Sequence, residues 1–287
     1  MKISGFSFVR NGVKFDYPFR ESILSLLPIV DEFVIAVGKS EDDTLEQIRA
    51  IDSDKIKIIE TVWDDALRDG GKILAQQTNI ALDAITGDWG FYVQADEILH
   101  EKDLPIIVQA CEENIKTKNV EGLLLSYKHF YGSYDYVGNS RRWYRREIRI
   151  VRNNIGVRSW GDAQGFRIAE RKLRVKSIDA EIYHYGWVKS PFHQQQKQKS
   201  FNKLWHSDEW VKQRVGEAEK FDYSDSGKLL PFTGTHPAVM KERVADQNWK
   251  FQYNLSDVHE TTKEKFLNFV EEKTGKRIGE YRNYIEV

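Results

Sequence analysis

The first hundred residues alternate between continuous apolar runs and stretches in which apolar positions recur with helical spacing. The apolar runs, each short enough for a buried strand, cover residues 3–9, 32–37, 55–62 and 89–94. Helical spacing is found at residues 21–28, from residue 44 onward, and at residues 71–86. Strands and helices that alternate in this way predict an α/β fold with a mostly parallel central sheet flanked by helices. Ligands of such folds bind where the strands end.

The pattern changes after the first hundred residues. Three further strands, separated by turns and basic loops, are predicted at residues 122–129, 147–152 and 178–185. After Pro191 the sequence becomes amphipathic and helical, and a last helix is predicted at residues 261–274. We therefore expect an α/β domain over residues 1–190 and a mainly helical C-terminal extension over residues 191–287. The glutamine- and lysine-rich run 193–199 is predicted to be a solvated helix face.

Composition and charge narrow the class of protein. The chain has 287 residues, enough to bury a large core, and 40% of them are hydrophobic. Its 43 lysines and arginines balance 44 acidic residues, so no overall attraction to nucleic acid is expected. The single cysteine, Cys111, cannot form an intrachain disulfide, which favours a reducing cytoplasm.

Targeting and membrane signals are not predicted. The first residues, MKISGFSFVRNG, reach polar positions too early for a signal peptide, and no apolar run approaches the ~20 residues that span a bilayer. We expect a soluble, cytoplasmic protein, with peripheral contact with a membrane left open. Oligomeric state is not predicted.

Aromatic residues make up 13% of the chain, including eight Trp and thirteen Tyr, and many of them follow residue 125. Their rings pack against sugars but also build ordinary cores. This composition therefore favours a carbohydrate ligand only slightly.

Two adjacent carboxylates, Asp96 and Glu97, directly follow the buried run that ends in FYV. They are expected at the edge of the sheet where ligands bind. Divalent cations that accompany diphosphates bind one or two carboxylates together with phosphate oxygens and water. The two residues are thus candidates for a metal and nucleotide site, and the alternative is that they cap the following helix.

The surrounding motifs resemble those of family-two glycosyltransferases. VQADE is similar to the DxD-type metal and nucleotide motif of the family, FSFVRNG to its opening strand, EFVIAVGKSEDDT to its second strand and turn, and IYHYGWVKS to its late histidine segment. The resemblance covers roughly residues 1–190. It implies a GT-A-like catalytic domain, with a nucleotide-binding half over residues 1–100 and an acceptor-side half over residues 101–190.

The resemblance also implies an activity. A sugar would pass from a nucleotide-diphosphate donor, by default a UDP-sugar, to a hydroxyl of a saccharide or lipid-linked acceptor. The transfer would be inverting and assisted by a divalent cation, Mn²⁺ or Mg²⁺. Two alternatives stay open: a non-catalytic carbohydrate-binding or scaffold protein, and a sugar-phosphate nucleotidyltransferase, which the single glycine of FSFVRNGVKF disfavours.

Carried over to this chain, the family pattern makes Asp96 the metal ligand and places His184 near the metal, where it would complete the metal shell or contact the diphosphate. The alternative is that His184 is a structural histidine of its strand. Gln94 takes the first DxD position, where an amide suits a ribose hydroxyl better than a metal. Val37 and Gly38 stand where the family often has an aspartate that faces the nucleobase. The predicted nucleotide-binding residues are Arg10, Asn11, Ser40, Asp42, Lys72, Gln94 and Asp96, with Arg68 a second basic candidate beside Lys72.

An inverting transfer also needs a base for the acceptor hydroxyl. The resemblance places it on the acceptor side at Asp162, with Asp135 as a rival. The basic run of residues 141–146 is predicted either to bind phosphates or to protect a hairpin edge by its charge. His236 is expected to be a buried turn residue.

Overall fold

The computed structural model describes residues 1–64, 67, 70–216, 218–254, 261–275 and 277–287. The strands are β1 (Ile3–Val9), β2 (Glu32–Gly38), β3 (Ile56–Thr61), β4 (Trp89–Tyr92), β5 (Glu97–Leu99), β6 (Gly122–Tyr131), β7 (Tyr136–Gly138), β8 (Arg146–Arg152), β9 (Val157–Trp160), β10 (Gly165–Ile168), β11 (Arg171–Trp187), β12 (Leu229–Pro231) and β13 (Tyr284–Glu286). The helices are α1 (Phe19–Leu26), α2 (Thr44–Arg49), α3 (Lys72–Asp83), α4 (Leu104–Asn114), α5 (Pro191–Asn202), α6 (Asp208–Arg214), α7 (Lys241–Ala245) and α8 (Thr262–Thr274).

The central sheet has the strand order β3-β2-β1-β4-β8-β6-β11-β10-β9. Parallel pairing joins β1 to β2 and β4, β2 to β3, and β6 to β11. Strand β8 lies antiparallel between β4 and β6. Among the described strands β3-β2-β1-β4-β8-β6-β11 of this order, β8 is therefore the one that runs in the opposite direction. The α/β class with a central sheet flanked by helices is confirmed. The sheet is mixed, because β8 and the antiparallel hairpin of β9 and β10 add antiparallel pairs to its parallel ones.

Strand β2 shows why the sheet forms. Every residue of its sequence EFVIAVG is buried. Phe33 and Ile35 pack into a core cluster with α1 and α4, whereas Val34 and Ala36 pack into a second cluster with α3. Because successive side chains point to opposite faces and helices cover both, the strand is apolar from Phe33 to Val37.

Strand β11 is much longer than predicted and connects several parts of the fold. Its seventeen residues pair with β6, β5, β10 and β13. In register, His184 lies opposite Glu97 of β5 and His129 of β6. The strand therefore places His184 next to the segment that follows β4.

The residues after 190 include four helices but also contribute to sheet pairing. Strand β12 pairs with β7, and β13 pairs with β11. The division of the chain at residue 190 stays a prediction. Among the described residues, no helix is both long and apolar enough to cross a membrane.

The basic run 141–146 contacts this C-terminal part. Arg141 donates to Glu271 at 2.7 Å, and Arg145 binds Glu280 through two contacts of 2.8 Å. These arginines therefore join the C-terminal segment to the sheet, a role that neither prediction included, and the two predicted uses of the run stay predictions.

Candidate functional site

A cavity of about 1070 Å³ lies at the carboxyl ends of β1 and β4. Its wall includes the loop after β1, the segment after β4, His184 of β11, the turn before β10 and one side of α5. This is the edge at which open α/β sheets bind ligands. The predicted site residues in its wall are Arg10, Asn11, Gln94, Asp96, Asp162 and His184.

Asp96 is a buried carboxylate with two different partners. Its Oδ2 accepts a hydrogen bond from Lys197 Nζ at 3.1 Å, and its Oδ1 lies 3.7 Å from His184 Nε2. Burial by itself would raise the pKa of Asp96, but the charge of Lys197 and the hydrogen bond that it donates lower it to about 2. The carboxylate is therefore ionised throughout the physiological range.

The tautomer of His184 follows from its neighbour His129. His129 Nε2 lies 2.8 Å from the carbonyl oxygen of Tyr144, which only accepts, so that nitrogen donates. Burial lowers the pKa of His129 well below its usual value, so its Nδ1 accepts. His184 Nδ1, 2.9 Å away, must then donate. The lone pair of neutral His184 consequently lies on Nε2, the atom next to Asp96.

Gly186 keeps the space beside these two groups open. A Cβ atom at this position would lie 2.6 Å from His184 Nε2 and 2.7 Å from Asp96 Oδ2. Any larger residue would thus fill the gap between the imidazole and the carboxylate. The HYG segment signalled this glycine, but only its histidine was predicted as a site residue.

The residues present fit a divalent cation with few protein ligands. They offer one ionised carboxylate, one imidazole lone pair and a gap that a Cβ would fill. The described part of the chain holds no group of three or more metal-ligating side chains. Such a site suits Mg²⁺ or Mn²⁺ bound mainly by phosphate oxygens and water.

Helix α5 forms one wall of the cavity, which corrects the prediction of a solvated helix face. Gln194 and Gln195 are buried, and the Lys197 side chain is only 12% exposed. Lys197 Nζ donates to the carbonyl oxygen of Gly186 at 2.9 Å as well as to Asp96. A run of polar residues was expected in water, but Asp96 and the Gly186 carbonyl accept from Lys197, and the Val215 carbonyl accepts from Gln195.

Glu97 is not part of the cavity wall. Its carboxylate is fully buried and binds Arg149 through two contacts of 2.8 Å. The Tyr127 hydroxyl and the Gln94 backbone N–H also donate to it. Every side of the carboxylate is thus occupied by the protein, and Glu97 holds β5 against β8.

Three of the predicted nucleotide-binding residues bind other loop groups. Asn11 has a left-handed backbone (φ 54°), and its Oδ1 accepts from the Glu41 N–H at 2.8 Å. Its own N–H donates to Ser40 Oγ at 2.9 Å. Asp42 accepts from the Lys14 N–H at 2.6 Å. These contacts fix the loops after β1 and β2 relative to each other.

The remaining predicted residues differ in position. Arg10 lies over the ring of Trp63, 5.4 Å from its centroid, and both residues line the cavity. Lys72 is the exposed first residue of α3 and lies outside the cavity wall. Arg68 lies outside the described residues. The nucleotide-binding roles of all these residues stay predictions.

Asp162 lies in the turn between β9 and β10 and contributes to the cavity wall. Its Oδ1 accepts from the Gln164 N–H at 3.3 Å. The rival Asp135 lies outside this wall and interacts with Ser133. His236 binds the Tyr185 hydroxyl at 2.8 Å, as expected of a structural histidine.

Glu147 is a buried carboxyl next to this region that the sequence did not indicate. Its Oε1 accepts from Gln164 at 3.1 Å, and its Oε2 has no hydrogen-bond partner. Burial raises its pKa to about 7, an effect that the charges of Glu97 and Asp162 increase.

No protein-family model and no curated protein sequence matches the chain. Among solved structures it is similar to S. aureus TarS, at 20% identity and a TM-score of 0.40, over 70% of this chain and 39% of that one. TarS 1–349 alone (14% identity, TM-score 0.37) and in complex with UDP (14%, 0.38) match over 75% of this chain and 69% and 70% of theirs. Likeness at this distance assigns no activity to the chain.

Proposed function

We propose that the chain transfers a sugar from a nucleotide-diphosphate donor, by default a UDP-sugar, to an acceptor hydroxyl with inversion. The observation that carries the proposal is the convergence of the ionised Asp96 carboxylate and the His184 Nε2 lone pair in one cavity at the strand ends. The acceptor would be a saccharide or a lipid-linked saccharide. The aromatic rings of the cavity wall suit sugars.

Asp96 and His184 would hold a divalent cation, Mn²⁺ or Mg²⁺, together with the diphosphate. When bound, the cation supplies positive charge that stabilises the departing diphosphate. The transfer forms one bond and breaks another. The acceptor oxygen forms a bond to the anomeric carbon, the bond from that carbon to the phosphate oxygen breaks, and its electron pair leaves with the nucleoside diphosphate. Asp162 would accept the acceptor proton.

The test measures nucleoside diphosphate released from a panel of sugar nucleotides with Mn²⁺ present. Asp96→Asn should lower turnover by roughly 100-fold or more, because it removes the charged ligand of the cation that would stabilise the leaving group, while circular dichroism stays unchanged. Asp162→Asn should lower transfer to acceptor but keep nucleotide binding. Asp135→Asn, which removes a carboxylate outside the cavity wall, is the matched control.

Unchanged turnover in Asp96→Asn would contradict the proposal. Calorimetric binding measurements and a pyrophosphate assay decide between the alternatives. Binding of a glycan without any nucleotide binding would favour the non-catalytic protein, and release of pyrophosphate from a nucleoside triphosphate would favour the nucleotidyltransferase.

A further inference from the structure

Helix α5 carries a lysine into the candidate site. Lys197 reaches from the helix to the sheet edge, where its Nζ donates to Asp96 Oδ2 at 3.1 Å and to the Gly186 carbonyl at 2.9 Å. It also lines the cavity. Its ammonium group therefore lies next to the place where Asp96 and His184 would bind a ligand.

A second buried lysine lies close by. Lys189 is fully buried, and its Nζ donates to the Asp16 carbonyl at 2.6 Å. The Nζ atoms of Lys189 and Lys197 lie 4.6 and 4.8 Å from the centroid of the same ring, that of Tyr17. The Asp16 carboxylate accepts from Arg243 at 2.8 Å. Arg243 also lies 3.2 Å from Glu21. Asp96 is the carboxylate that Lys197 contacts directly.

Two buried ammonium groups therefore lie beside one tyrosine ring at the cavity. Burial, followed by the charge of Lys197, lowers the pKa of Lys189 to about 7. Buried ammonium groups are costly for the fold unless anionic groups pair with them. Lys197 lines the cavity, so a negatively charged ligand there would give it a second anionic partner beside Asp96.

An anchoring role for α5 alone does not account for Lys197. The helix has other attachments: Ser190 caps it through the His193 N–H, and Gln195 donates to the Val215 carbonyl at 3.0 Å. Buried ion pairs add little stability compared with apolar residues of similar size. Burial of the Lys197 ammonium costs desolvation energy. Its position in the cavity wall allows it to contact a ligand.

We propose that the Lys197 ammonium binds the diphosphate of the donor as a fixed cation and stabilises that group as it departs. The inference rests on the proposed function and adds a residue to it. Asp96 would then serve two cations through its two oxygens, Lys197 through Oδ2 and the divalent cation through Oδ1. The consequence is that a nucleoside diphosphate binds even without metal.

Calorimetry with UDP and with uridine, both in the presence of a chelator, tests this. In Lys197→Gln, which keeps polar contacts but loses the charge, UDP affinity should fall roughly 10- to 100-fold, the usual range for a charge-assisted contact. Uridine affinity should not change, because uridine has no diphosphate. The matched control is Lys55→Gln, a lysine outside the cavity wall whose Nζ also donates to a backbone carbonyl, that of Leu27, at 2.9 Å. It should keep wild-type affinity for both ligands.

A second comparison keeps the test decisive if loss of the ion pair harms the fold. Asp96→Asn leaves Lys197 charged, and should bind UDP without metal at least as tightly as the wild type. The double variant Asp96→Asn/Lys197→Gln removes both charges and should bind roughly tenfold or more weakly than Asp96→Asn. Equal affinities of these two variants would overturn the role of Lys197.

The two proposals fail in different ways. Absence of UDP binding by the wild type in chelator, together with binding in Mn²⁺, overturns the lysine and leaves the transferase. Absence of UDP binding in both media overturns the transferase itself.

Discussion

Asp96 and Glu97 are neighbours in the chain, but their carboxylates lie in opposite environments. Glu97 points into the core, where Arg149, Tyr127 and a backbone N–H occupy its oxygens. Asp96 points to the cavity, where its partners are a lysine and a histidine on the wall of the same cavity. Both charges are compensated, but only one of them is accessible to a ligand. Burial alone therefore does not identify a functional carboxylate. Its hydrogen-bond partners and its access to a cavity must be considered as well.

The largest expected effect is on the free energy of unfolding, at the Glu97 site. Arg149→Met leaves the Glu97 carboxylate buried without its cation, which should lower the free energy of unfolding by ~3–5 kcal/mol. Urea unfolding followed by fluorescence measures it. The double variant Glu97→Gln/Arg149→Met should recover part of the loss. A loss below about 1 kcal/mol in the single variant would contradict the structural role of the pair.

The second effect concerns Glu147, which lies near the Arg149 charge and has one oxygen without a partner. Its folded pKa, about 7, exceeds its ordinary value of 4.5. Between these values the folded state keeps a proton that the unfolded state has released, so stability falls as pH rises from 4.5 through 7. Glu147→Gln should be more stable than the wild type by ~3 kcal/mol at pH 8 and nearly equal to it at pH 4.5. Urea unfolding at both pH values measures the difference, and a pH-independent difference would contradict it.

The stability that Asp96 contributes should depend on pH in the opposite direction. Its folded pKa, about 2, lies below its ordinary value of 3.8, because the charges around it outweigh burial. The stabilisation, ~2 kcal/mol, is fully present above pH 3.8 and is lost as pH falls through 2. The stability difference between the wild type and Asp96→Asn should therefore be ~2 kcal/mol at pH 6 and roughly half of that at pH 3. An unchanged difference at pH 3 would mean that the charges do not act on Asp96.

The fold and half of the site could be predicted from the sequence for physical reasons. Apolar runs mark strands buried on both faces, and strand ends mark the ligand edge, so the position of Asp96 followed. His184 was indicated by the resemblance of IYHYGWVKS to the late histidine segment of the family. The separate orientations of Asp96 and Glu97 did not follow, because both residues succeed the same apolar run. Their directions depend on the turn before β5 and on Arg149, which is distant in sequence.

Lys197 was missed for a related reason. A run of glutamines and lysines is ordinarily solvated, and its burial depends on acceptors supplied by Gly186 and Asp96. Asn11 and Ser40 were expected at the nucleotide but bind each other's loops. Local motifs indicate which residues come near the site, whereas their partners are decided by tertiary contacts.

The smallest effect isolates the space between Asp96 and His184. Gly186→Ala keeps both candidate ligands and adds a methyl group 2.6 Å from His184 Nε2 and 2.7 Å from Asp96 Oδ2. The neighbours must move, so the Mn²⁺ concentration for half-maximal activation should rise roughly tenfold, about 1.4 kcal/mol. Isothermal titration with Mn²⁺ and UDP measures the same change without turnover.

Its control is Gly156→Ala, a glycine with positive φ and open space around it that is distant from the cavity wall. That variant carries backbone strain without touching the site, so it should lose stability but keep its Mn²⁺ response. If Gly186→Ala also kept the wild-type response, the gap would not be the cation site. Asp96 would then act on the ligand through Lys197 alone, and the contrast with Glu97 would lie in the lysine rather than in a metal.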